Sequence, residues 1–376
     1  MNFELEDRYL GIQEQARDFA QSIAHLAAEA DNMSSVHPGI LDGLRKSGLS
    51  RLMVPAAYGG ADEKLDPLAI CLVREVLMAN CCQADSLFAM QGIGSYALSI
   101  AASEEQRVQW LPKIASAECL PAFALTEPDS GSDLKSITTE IVSDGDGLCL
   151  HGDKSFISNA GAASYYIVFV RDGDGYSLVL VPADATGISV KPTPEIIAPH
   201  VMGEVTFDKV RIPADACLGD GGDGLNLVLA TLAVFRVSVA GAAVGLAEAA
   251  LHEAVRHTRT RTQFGRPLIR LGAVAQMLAD CWTEIEMARL LTYHAAYRAG
   301  KQSLESVNYS SMAKLGASEM ASRVVDRCVQ VMGRFGLISD SKIERLYRQA
   351  RPMRIYEGAS EVLRQSIAKT LADKVD

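Results

Sequence analysis

Apolar residues recur at helical spacing near both ends of the chain. Residues 37–49 carry apolar positions in a helical pattern, and a second helical stretch runs over about 67–102. In the last third, five apolar residues repeat at intervals of four, three, four and three: Val274, Leu278, Cys281, Ile285 and Ala288. This spacing is typical of the seam of a helix bundle, so we predict helices at both ends of the chain.

The middle of the chain has the pattern of β-strands. Two runs rich in β-branched and aromatic residues, YYIVFV (165–170) and YSLVLVP (176–182), flank the hairpin-type turn RDGDG (171–175). The alternating segment EVTFDKVRIP (204–213) indicates a further strand. No helix-length pattern interrupts this region, so we predict a small antiparallel β-domain.

The order of helices, strands and helices predicts an α+β protein with three domains. We place an N-terminal helical domain at 1–120, a middle β-domain at 121–216 and a C-terminal helical bundle domain at 217–376. A chain of 376 residues, of which 48% are hydrophobic and 22% charged, is long enough for this division.

The net charge and the N-terminal pattern limit the partners and the cell compartment that we expect for this chain. A formal net charge of −10 disfavours nucleic acid and anionic membrane surfaces, because both attract basic proteins. The acidic N-terminus lacks the pattern of a signal peptide. No uncharged stretch reaches the ~20 apolar residues that span a bilayer. We therefore expect a cytoplasmic protein without membrane insertion.

The eight cysteines do not indicate a metal site or a disulfide framework. None lies in a CxxC motif, and zinc sites need clustered Cys or His ligands. We expect reduced, mostly buried thiols and no bound metal.

Four segments carry candidate chemistry, and each also has a simpler structural interpretation. AFALTEPDSGSD (122–133) places hydroxyls and backbone amides after an apolar run, which suits a ligand loop or an ordinary polar turn. GDKSFISNAG (152–161) combines an aromatic residue, a hydroxyl and an Asn. RTRTQFGRPL (259–268) ends a helix with cations that the helix dipole favours by itself. RIYEGASEV (354–362) sets Glu357 on a glycine-containing turn, where a lone Glu is usually exposed.

The segment GDGGDG (219–224) matches the G-x-G-x-x-G pattern of dinucleotide-binding loops. Its two aspartates would repel a pyrophosphate, and no βαβ unit follows. We interpret the segment as a connector between the β-domain and the C-terminal bundle.

Together, the four candidate segments resemble the signatures of the acyl-CoA dehydrogenase family. LTEPDSGSD (125–133) is similar to TEPxxGSD, and GDKSFISNA (152–160) is similar to G-x-K-x-[WF]-I-[ST]-N. RTQFGRPL (261–268) resembles R-x-QFG, and RIYEGASEV (354–362) resembles IYEGTSE. Their order and spacing match over essentially the whole chain. The resemblance implies an N-terminal helical domain, a middle antiparallel β-domain and a C-terminal four-helix bundle, as the hydrophobic pattern predicts independently.

The resemblance implies FAD as the cofactor, bound between the middle domain and the bundle of a homotetramer. Eleven residues stand where the family binds FAD: Leu125, Thr126, Ser132, Phe156, Ser158, Arg261, Gln263, Phe264, Gln330, Ala359 and Glu361. By resemblance, Leu125 and Thr126 contact the flavin ring. Ser132 binds the FAD pyrophosphate or the pantetheine arm of the substrate.

The other positions correspond to further parts of the cofactor. By resemblance, Phe156 stacks on the flavin and Ser158 lies beside its N5 atom. Four residues reach the FAD of the neighbouring subunit: Arg261, Gln263, Phe264 and Gln330. Ala359 and Glu361 stand where the family holds the adenosine half.

The resemblance implies Glu357 as the catalytic base. Glu357 would remove the substrate α-proton while a β-hydride passes to flavin N5, and the electrons would go to an electron-transfer flavoprotein. A free Glu has a pKa of about 4.3, so we expect burial to raise it. Phe235 stands where some family members carry their base, and its ring cannot accept a proton. Four residues are implied in substrate binding: Ser132, Arg236, Tyr356 and Gly358.

The chain departs from the family pattern at several positions, and three of them concern the FAD site. Ala359 replaces the usual Thr and removes a hydroxyl near the FAD. Arg334 interrupts a GGxG segment, where it could approach a phosphate or obstruct it. Gly272 stands in place of a Gln. These departures leave Glu357 and the flavin-facing hydroxyls unchanged.

Three functions compete at this stage. The first is α,β-dehydrogenation of an acyl-CoA thioester. In the second, the same site acts on a carrier-protein thioester, runs as an enoyl-thioester reductase or eliminates a β-leaving group. The third is a flavin-binding subunit without turnover, against which the retained Glu357 and Thr126 argue. SLFAMQGIGSY (86–96) corresponds to the acyl pocket, and its mixture of bulky and small side chains favours a short, branched or cyclic acyl group.

Overall fold

The computed structural model describes residues 4–145, 147–300 and 304–375. Contacts divide them into two compact units. Unit 1 comprises Met1–Asp31, Pro67–Asp85 and Ala233–Asp376, and unit 2 comprises Asn32–Asp66 and Ser86–Leu232. The three domains drawn from the sequence, with boundaries after residues 120 and 216, stay a prediction.

Helices flank a central run of strands along the chain. The helices are α1 (Asp7–Ser22), α2 (Ala27–Ala30), α3 (Pro38–Ser47), α4 (Pro67–Met78), α5 (Cys82–Ile93), α6 (Tyr96–Ala101), α7 (Glu104–Ala115), α8 (Gly224–Thr260), α9 (Gly272–Ala299), α10 (Leu304–Met332), α11 (Lys342–Ala350) and α12 (Ser360–Ala372). The strands are β1 (Pro121–Ala124), β2 (Glu140–Asp144), β3 (Gly147–Ser158), β4 (Tyr165–Asp172), β5 (Gly175–Pro182), β6 (Ile188–Pro192), β7 (Met202–Pro213), β8 (Thr262–Gln263) and β9 (Arg266–Pro267).

The core of unit 1 is the interface of its long helices. Four members of the predicted seam are buried on α9: Leu278, Cys281, Ile285 and Ala288. They belong to the same hydrophobic cluster as buried residues of α8, α10 and α11. Burial of this apolar stripe accounts for the helical spacing in the sequence.

Helices α4 and α8 approach each other closely within unit 1. A Cβ atom on Gly245 would lie 1.8 Å from the carbonyl oxygen of Glu75, and one on Gly241 would lie 2.6 Å from that of Cys71. The two glycines therefore allow the backbones to touch. This packing places the side chains of α4 against the middle of α8.

Unit 2 is built on a seven-stranded sheet with the order β1-β4-β2-β3-β7-β6, in which β5 also pairs with β4. The predicted hairpin is confirmed, because β4 and β5 pair antiparallel from Tyr165↔Pro182 to Asp172↔Gly175. The ladders β2–β3, β3–β7 and β6–β7 are also antiparallel. Strand β4 also pairs in parallel with β1 and β2. The sequence did not predict these pairings, because turn signals mark only strands that follow one another in the chain.

The short helices of unit 2 pack on one end of this sheet. The Trp110 ring of α7 lies 4.7 Å from that of Tyr165 on β4, and the Tyr165 hydroxyl donates to the carbonyl of Gly94 at 3.1 Å. Ser103 and Gln106 form a reciprocal capping box at the start of helix α7.

Helix α8 is long and apolar enough to cross a membrane by length and composition alone. In this fold, 78% of its most apolar window is buried inside the protein. Buried core helices of this kind pass the same composition test.

Candidate active site

Glu357 lies on a strained turn between α11 and α12. Its φ angle of +51° is in the left-handed region, and Gly358 follows with a φ angle of +106°. Arg236 Nε of α8 donates to the Glu357 carbonyl at 3.0 Å. Lys314 Nζ of α10 donates to the Gly358 carbonyl at 2.6 Å. Non-glycine residues adopt this backbone only where neighbours enforce it, often at functional sites, and here two cations hold both carbonyls.

The surroundings of the Glu357 carboxyl group favour its protonated form. Its Oε2 atom is buried, and none of the residues that the structure describes donates a hydrogen bond to it. Burial raises the pKa of Glu357 to about 7. Three cations oppose that shift without cancelling it: Arg74, Lys314 and Arg236. A carboxylate with this pKa is well matched to accept a proton near neutral pH.

A buried ion pair accompanies Glu357. The Arg74 guanidinium contacts both carboxylate oxygens of Asp85, at 2.9 and 2.7 Å, and its NH1 donates to Ser238 Oγ at 2.9 Å. No sequence motif marks this pair. Its signal was a single arginine inside the apolar run of α4, where charged residues are rarely buried without a partner.

Other predicted site residues of unit 1 surround the same turn. Arg236 and Gly358 are in contact with it: a Cβ atom on Gly358 would lie 3.3 Å from Arg236 Nε. Tyr356 is partly exposed. Ala359 is the N-cap of α12, and Glu361 is exposed in the first turn of that helix. The structure therefore brings the candidate base and the substrate-binding candidates of this unit together.

Most residues predicted to contact the FAD of a neighbouring subunit lie on or beside a short hairpin of unit 1. Strands β8 and β9 pair around Phe264, which is 88% exposed, and Gln263 is exposed beside it. The guanidinium of Arg261 lies 5.6 Å from the centre of the Phe335 ring, and that of Arg334 lies 5.1 Å from it. Gln330 is exposed near the end of α10.

In unit 2, a buried lysine orders the loop that contains Leu125 and Thr126. Lys154 Nζ donates to the Leu125 carbonyl and to Glu127 Oε1, both at 2.9 Å. The backbone amide of Ser155 donates to the Thr126 carbonyl at 2.9 Å. The loop after β1 is therefore tied directly to β3, which carries Phe156 and Ser158.

Phe156 projects from an irregularity in β3. The register with β7 shifts between Lys154 and Ile157, and Phe156 adopts a φ angle of +55° with 51% of its surface exposed. Two residues later, Ser158 Oγ lies 3.0 Å from His200 Nε2. No sequence motif marks His200. Burial lowers the pKa of the His200 ring to about 4, so the ring is neutral at pH 7.

Glu127→Gln tests how firmly this loop is held. Glu127 accepts hydrogen bonds from the Thr138 and Thr139 amides and pairs with Lys154. Burial opposes its charge, but these partners outweigh burial and lower its pKa to about 2. We expect the substitution to reduce the unfolding free energy by about 3–5 kcal/mol, as measured by urea unfolding.

Glu140→Gln is the matched control, because Glu140 forms an exposed pair with Arg171 and should change stability by less than about 1 kcal/mol. In the unsubstituted protein, the contribution of Glu127 is present above about pH 4.5 and is lost as pH falls towards 2. Equal effects of the two substitutions would contradict this assignment.

The exposed groups of unit 2 fit a flavin. A flavin ring is flat, so an exposed aromatic ring such as Phe156 suits it as a stacking partner. Thr126 and Ser158 add hydroxyls on the two segments joined by Lys154. Ser132 is exposed on the adjoining loop. Within the described ranges, no group of three or more His, Cys, Asp or Glu is arranged to hold a metal ion.

Two curated relatives match almost the whole chain. A cyclohexane-1-carbonyl-CoA dehydrogenase of Geobacter metallireducens is 33% identical over 359 residues, covering 93% of each chain. A protein with the same name from Syntrophus aciditrophicus is 31% identical, covering 100% of this chain and 99% of its own.

Solved structures share the fold. Butyryl-CoA dehydrogenase of Megasphaera elsdenii has a TM-score of 0.94 at 29% identity, covering 99% of this chain and 100% of its own. A chain from a structure described as the electron transferring flavoprotein of Acidaminococcus fermentans has a TM-score of 0.94 at 30% identity, covering 99% of both chains. A glutaryl-CoA dehydrogenase of Mycobacterium smegmatis in complex with FADH2 has a TM-score of 0.90 at 26% identity, covering 99% and 96%.

Three family models match in chain order. They describe the N-terminal, middle and C-terminal domains of acyl-CoA dehydrogenases and cover residues 7–118, 122–210 and 222–372. These matches confirm the predicted family, fold class and cofactor. The chain belongs to the acyl-CoA dehydrogenase family of FAD-dependent oxidoreductases.

Proposed function

We propose that the chain dehydrogenates a short, branched or cyclic acyl-CoA between its α and β carbons, with Glu357 as the base. The observation that carries the proposal is the buried Glu357 Oε2 atom, which lacks a hydrogen-bond donor among the residues described. A buried carboxylate without a donor is poorly stabilised as an anion and is therefore a better base.

The side chains of unit 1 have separate tasks in this proposal. Arg236 and Lys314 fix the backbone on either side of the carboxylate, so that Glu357 keeps one orientation. Glu357 takes the α-proton and holds it on its carboxyl group. When bound, the flavin supplies the acceptor for the β-hydride.

The side chains of unit 2 would hold the cofactor. We assign Phe156 to stacking on the flavin ring and Ser158, Leu125 and Thr126 to its edge. Ser158 would exchange or share its contact with His200, since a neutral imidazole can donate or accept a hydrogen bond. We assign four residues of unit 1 to the FAD of a neighbouring subunit: Arg261, Gln263, Phe264 and Gln330. We assign Ala359 and Glu361 to the adenosine half.

The acyl preference rests on relatives and on the acyl segment. Two relatives are named for cyclohexane-1-carbonyl-CoA and one structural neighbour for butyryl-CoA. Three bulky side chains of the segment 86–96 are buried: Leu87, Phe88 and Met90. Such side chains leave less room for a long linear chain.

A thioester panel tests this proposal through the colour of the flavin. We expect butyryl-CoA and cyclohexane-1-carbonyl-CoA to bleach the yellow holoenzyme in the absence of oxygen, and palmitoyl-CoA to bleach it much more slowly. An acyl group on a carrier protein serves as the comparison. Exclusive reaction with palmitoyl-CoA would overturn the acyl assignment, and exclusive reaction with the carrier-protein thioester would favour that alternative. If none of the thioesters bleached the flavin, the dehydrogenase proposal would be wrong.

The pH dependence follows from the same carboxyl group. Only ionised Glu357 can accept the α-proton, so activity is present above its pKa of about 7 and is lost as pH falls through it. We expect kcat/KM for butyryl-CoA to fall about tenfold per pH unit on the acidic side. A flat profile between pH 5 and 8 would contradict a base with this pKa.

We propose a homotetramer that resides in the cytoplasm and passes electrons to an electron-transfer flavoprotein. Large apolar side chains are exposed on this single chain, among them Phe264 (88%), Leu337 (74%) and Trp282 (64%). In an oligomer, burial of such side chains against a neighbouring subunit would remove their apolar surface from water. Light scattering during size-exclusion chromatography would measure the mass, and a stable monomer would contradict the tetramer. Reduction of a purified electron-transfer flavoprotein would test the acceptor.

A further inference from the structure

His200 Nε2 lies within hydrogen-bonding distance of two hydroxyl groups in unit 2. Ser158 Oγ on β3 is 3.0 Å away, and Ser86 Oγ on α5 is 3.4 Å away. A distance of 3.4 Å is long for a hydrogen bond, so Ser158 is the main partner and Ser86 is a weaker one. A single ring nitrogen therefore lies between the hydroxyl that we assign to the flavin edge and the first residue of the segment 86–96.

The backbone fixes the His200 ring beside Ser158. His200 lies two residues before Met202, which pairs with Ser158 in the ladder between β3 and β7. The amide of Asn159 donates to the carbonyl of Val201 at 2.9 Å, and this bond joins the residues that follow Ser158 and His200. The ring therefore keeps its place when the Ser158 hydroxyl turns to another partner.

Water is a poor substitute for a hydroxyl partner at this ring. Ala198 and Val201, which lie on either side of His200 in the chain, are buried. Burial is also the cause of the low pKa of the His200 ring. A buried nitrogen without a hydrogen-bond partner carries the full cost of its lost hydration. A change that takes Ser158 away from Nε2 therefore calls for a second partner from the protein.

The position of Ser86 suits it to be that second partner. In the proposed function, Ser158 turns to the edge of the flavin, and its hydroxyl has one proton to donate. The Ser86 hydroxyl can donate to Nε2 or accept from it. An exchange of partners at His200 is therefore possible with the ring proton on either nitrogen.

We propose that Ser86 is the second hydrogen-bond partner of His200, and that this contact allows Ser158 to bind the flavin without leaving Nε2 unpaired. The inference rests on the proposed assignment of Ser158 to the flavin edge. Ser86 and His200 are positioning residues, since neither is assigned a contact with the flavin. Their contact also joins the segment 86–96 to the cofactor site.

The affinity for FAD tests this proposal without a measurement of activity. When the holoenzyme is diluted, the recovery of FAD fluorescence gives the dissociation constant. We expect Ser86→Ala to raise this constant about tenfold, because Nε2 has no partner once Ser158 contacts the flavin. Ser86→Thr retains the hydroxyl, so its constant should stay within about twofold of that of the unsubstituted protein.

Ser99→Ala is the matched control. The Ser99 hydroxyl donates to the Ser95 carbonyl at 3.1 Å, and Ser99 belongs to none of the proposed contacts. Its substitution should leave the dissociation constant of FAD unchanged. A tenfold rise in this variant as well would show a general effect of serine removal and would overturn the proposal.

A second substitution shows whether Ser86 acts through the ring. His200→Phe keeps a ring but removes both nitrogens, so no Nε2 atom is left to satisfy. In that background, Ser86→Ala should change the dissociation constant by less than about twofold, because a coupling disappears when one partner is absent. Equal effects of Ser86→Ala in the two backgrounds would overturn the proposal. If His200→Phe does not fold, equal constants for Ser86→Ala and Ser86→Thr overturn it instead.

The outcomes separate this inference from the proposed function. If Ser86→Ala binds FAD as tightly as the unsubstituted protein, and butyryl-CoA still bleaches the unsubstituted holoenzyme, only the role of Ser86 and His200 fails. If the unsubstituted protein binds no FAD, the proposed function fails and this inference fails with it.

Discussion

Glu357→Gln is expected to abolish dehydrogenation while the flavin stays bound. The amide has nearly the shape of the carboxyl group but cannot accept the α-proton, so the rate of flavin reduction by butyryl-CoA should fall on the order of 10⁴-fold. The Arg236 and Lys314 contacts go to backbone carbonyls and should persist. The measurement is stopped-flow bleaching of the holoenzyme, together with the flavin content of the purified variant.

Glu14→Gln is the control for this result. Glu14 is exposed on α1 and belongs to none of the proposed cofactor or substrate contacts. We expect its reduction rate to stay within about threefold of the unsubstituted protein, because solvent and salt screen an exposed charge outside the site. Comparable losses in both variants would contradict the assignment of Glu357.

Gly245→Ala is expected to destabilise unit 1 severely. The new methyl group would lie 1.8 Å from the Glu75 carbonyl oxygen and 2.6 Å from its carbon. Backbone atoms cannot move aside as a flexible side chain can, so α4 and α8 would have to separate. We expect a loss of at least about 3 kcal/mol in the unfolding free energy, at the upper end of measured overpacking effects, measured by urea unfolding of the holoenzyme.

Gly316→Ala on α10 is expected to stabilise the protein. A Cβ atom there would lie 3.6 Å from a methyl carbon of Leu291, which is an ordinary contact. Alanine also loses less conformational entropy in a helix, so we expect a gain of about 0.5–1 kcal/mol. A stable Gly245→Ala variant would show that the close contact of α4 and α8 is not required.

Periodic burial made much of the fold predictable. The seam from Val274 to Ala288 and the hairpin over residues 165–182 each repeat with the period of their element, and the structure contains both. The parallel contacts of β4 were not predictable in this way, because they join segments that are distant in the chain. No local turn signal marks such a pairing.

Candidate site residues could be named from the sequence where a short signature contains them, and not where segments distant in the chain meet. Glu357 and Gly358 stand in one signature, and Phe156 and Ser158 in another. Arg74 and Asp85 belong to no signature, because Arg74 meets Asp85 and Ser238 only in the folded chain. His200 was missed for the same reason, since its Ser158 contact spans 42 residues.

The most direct test of the central claim is exchange of the α-proton itself. The thioester 3,3-dimethylbutyryl-CoA has α-protons but no hydrogen on its β-carbon, so it can lose a proton without donating a hydride. In deuterated water, the holoenzyme should introduce deuterium at the α-carbon, as followed by NMR, and Glu14→Gln should do the same. Glu357→Gln should introduce none above the buffer rate. Exchange by Glu357→Gln at the rate of the unsubstituted holoenzyme would contradict the account.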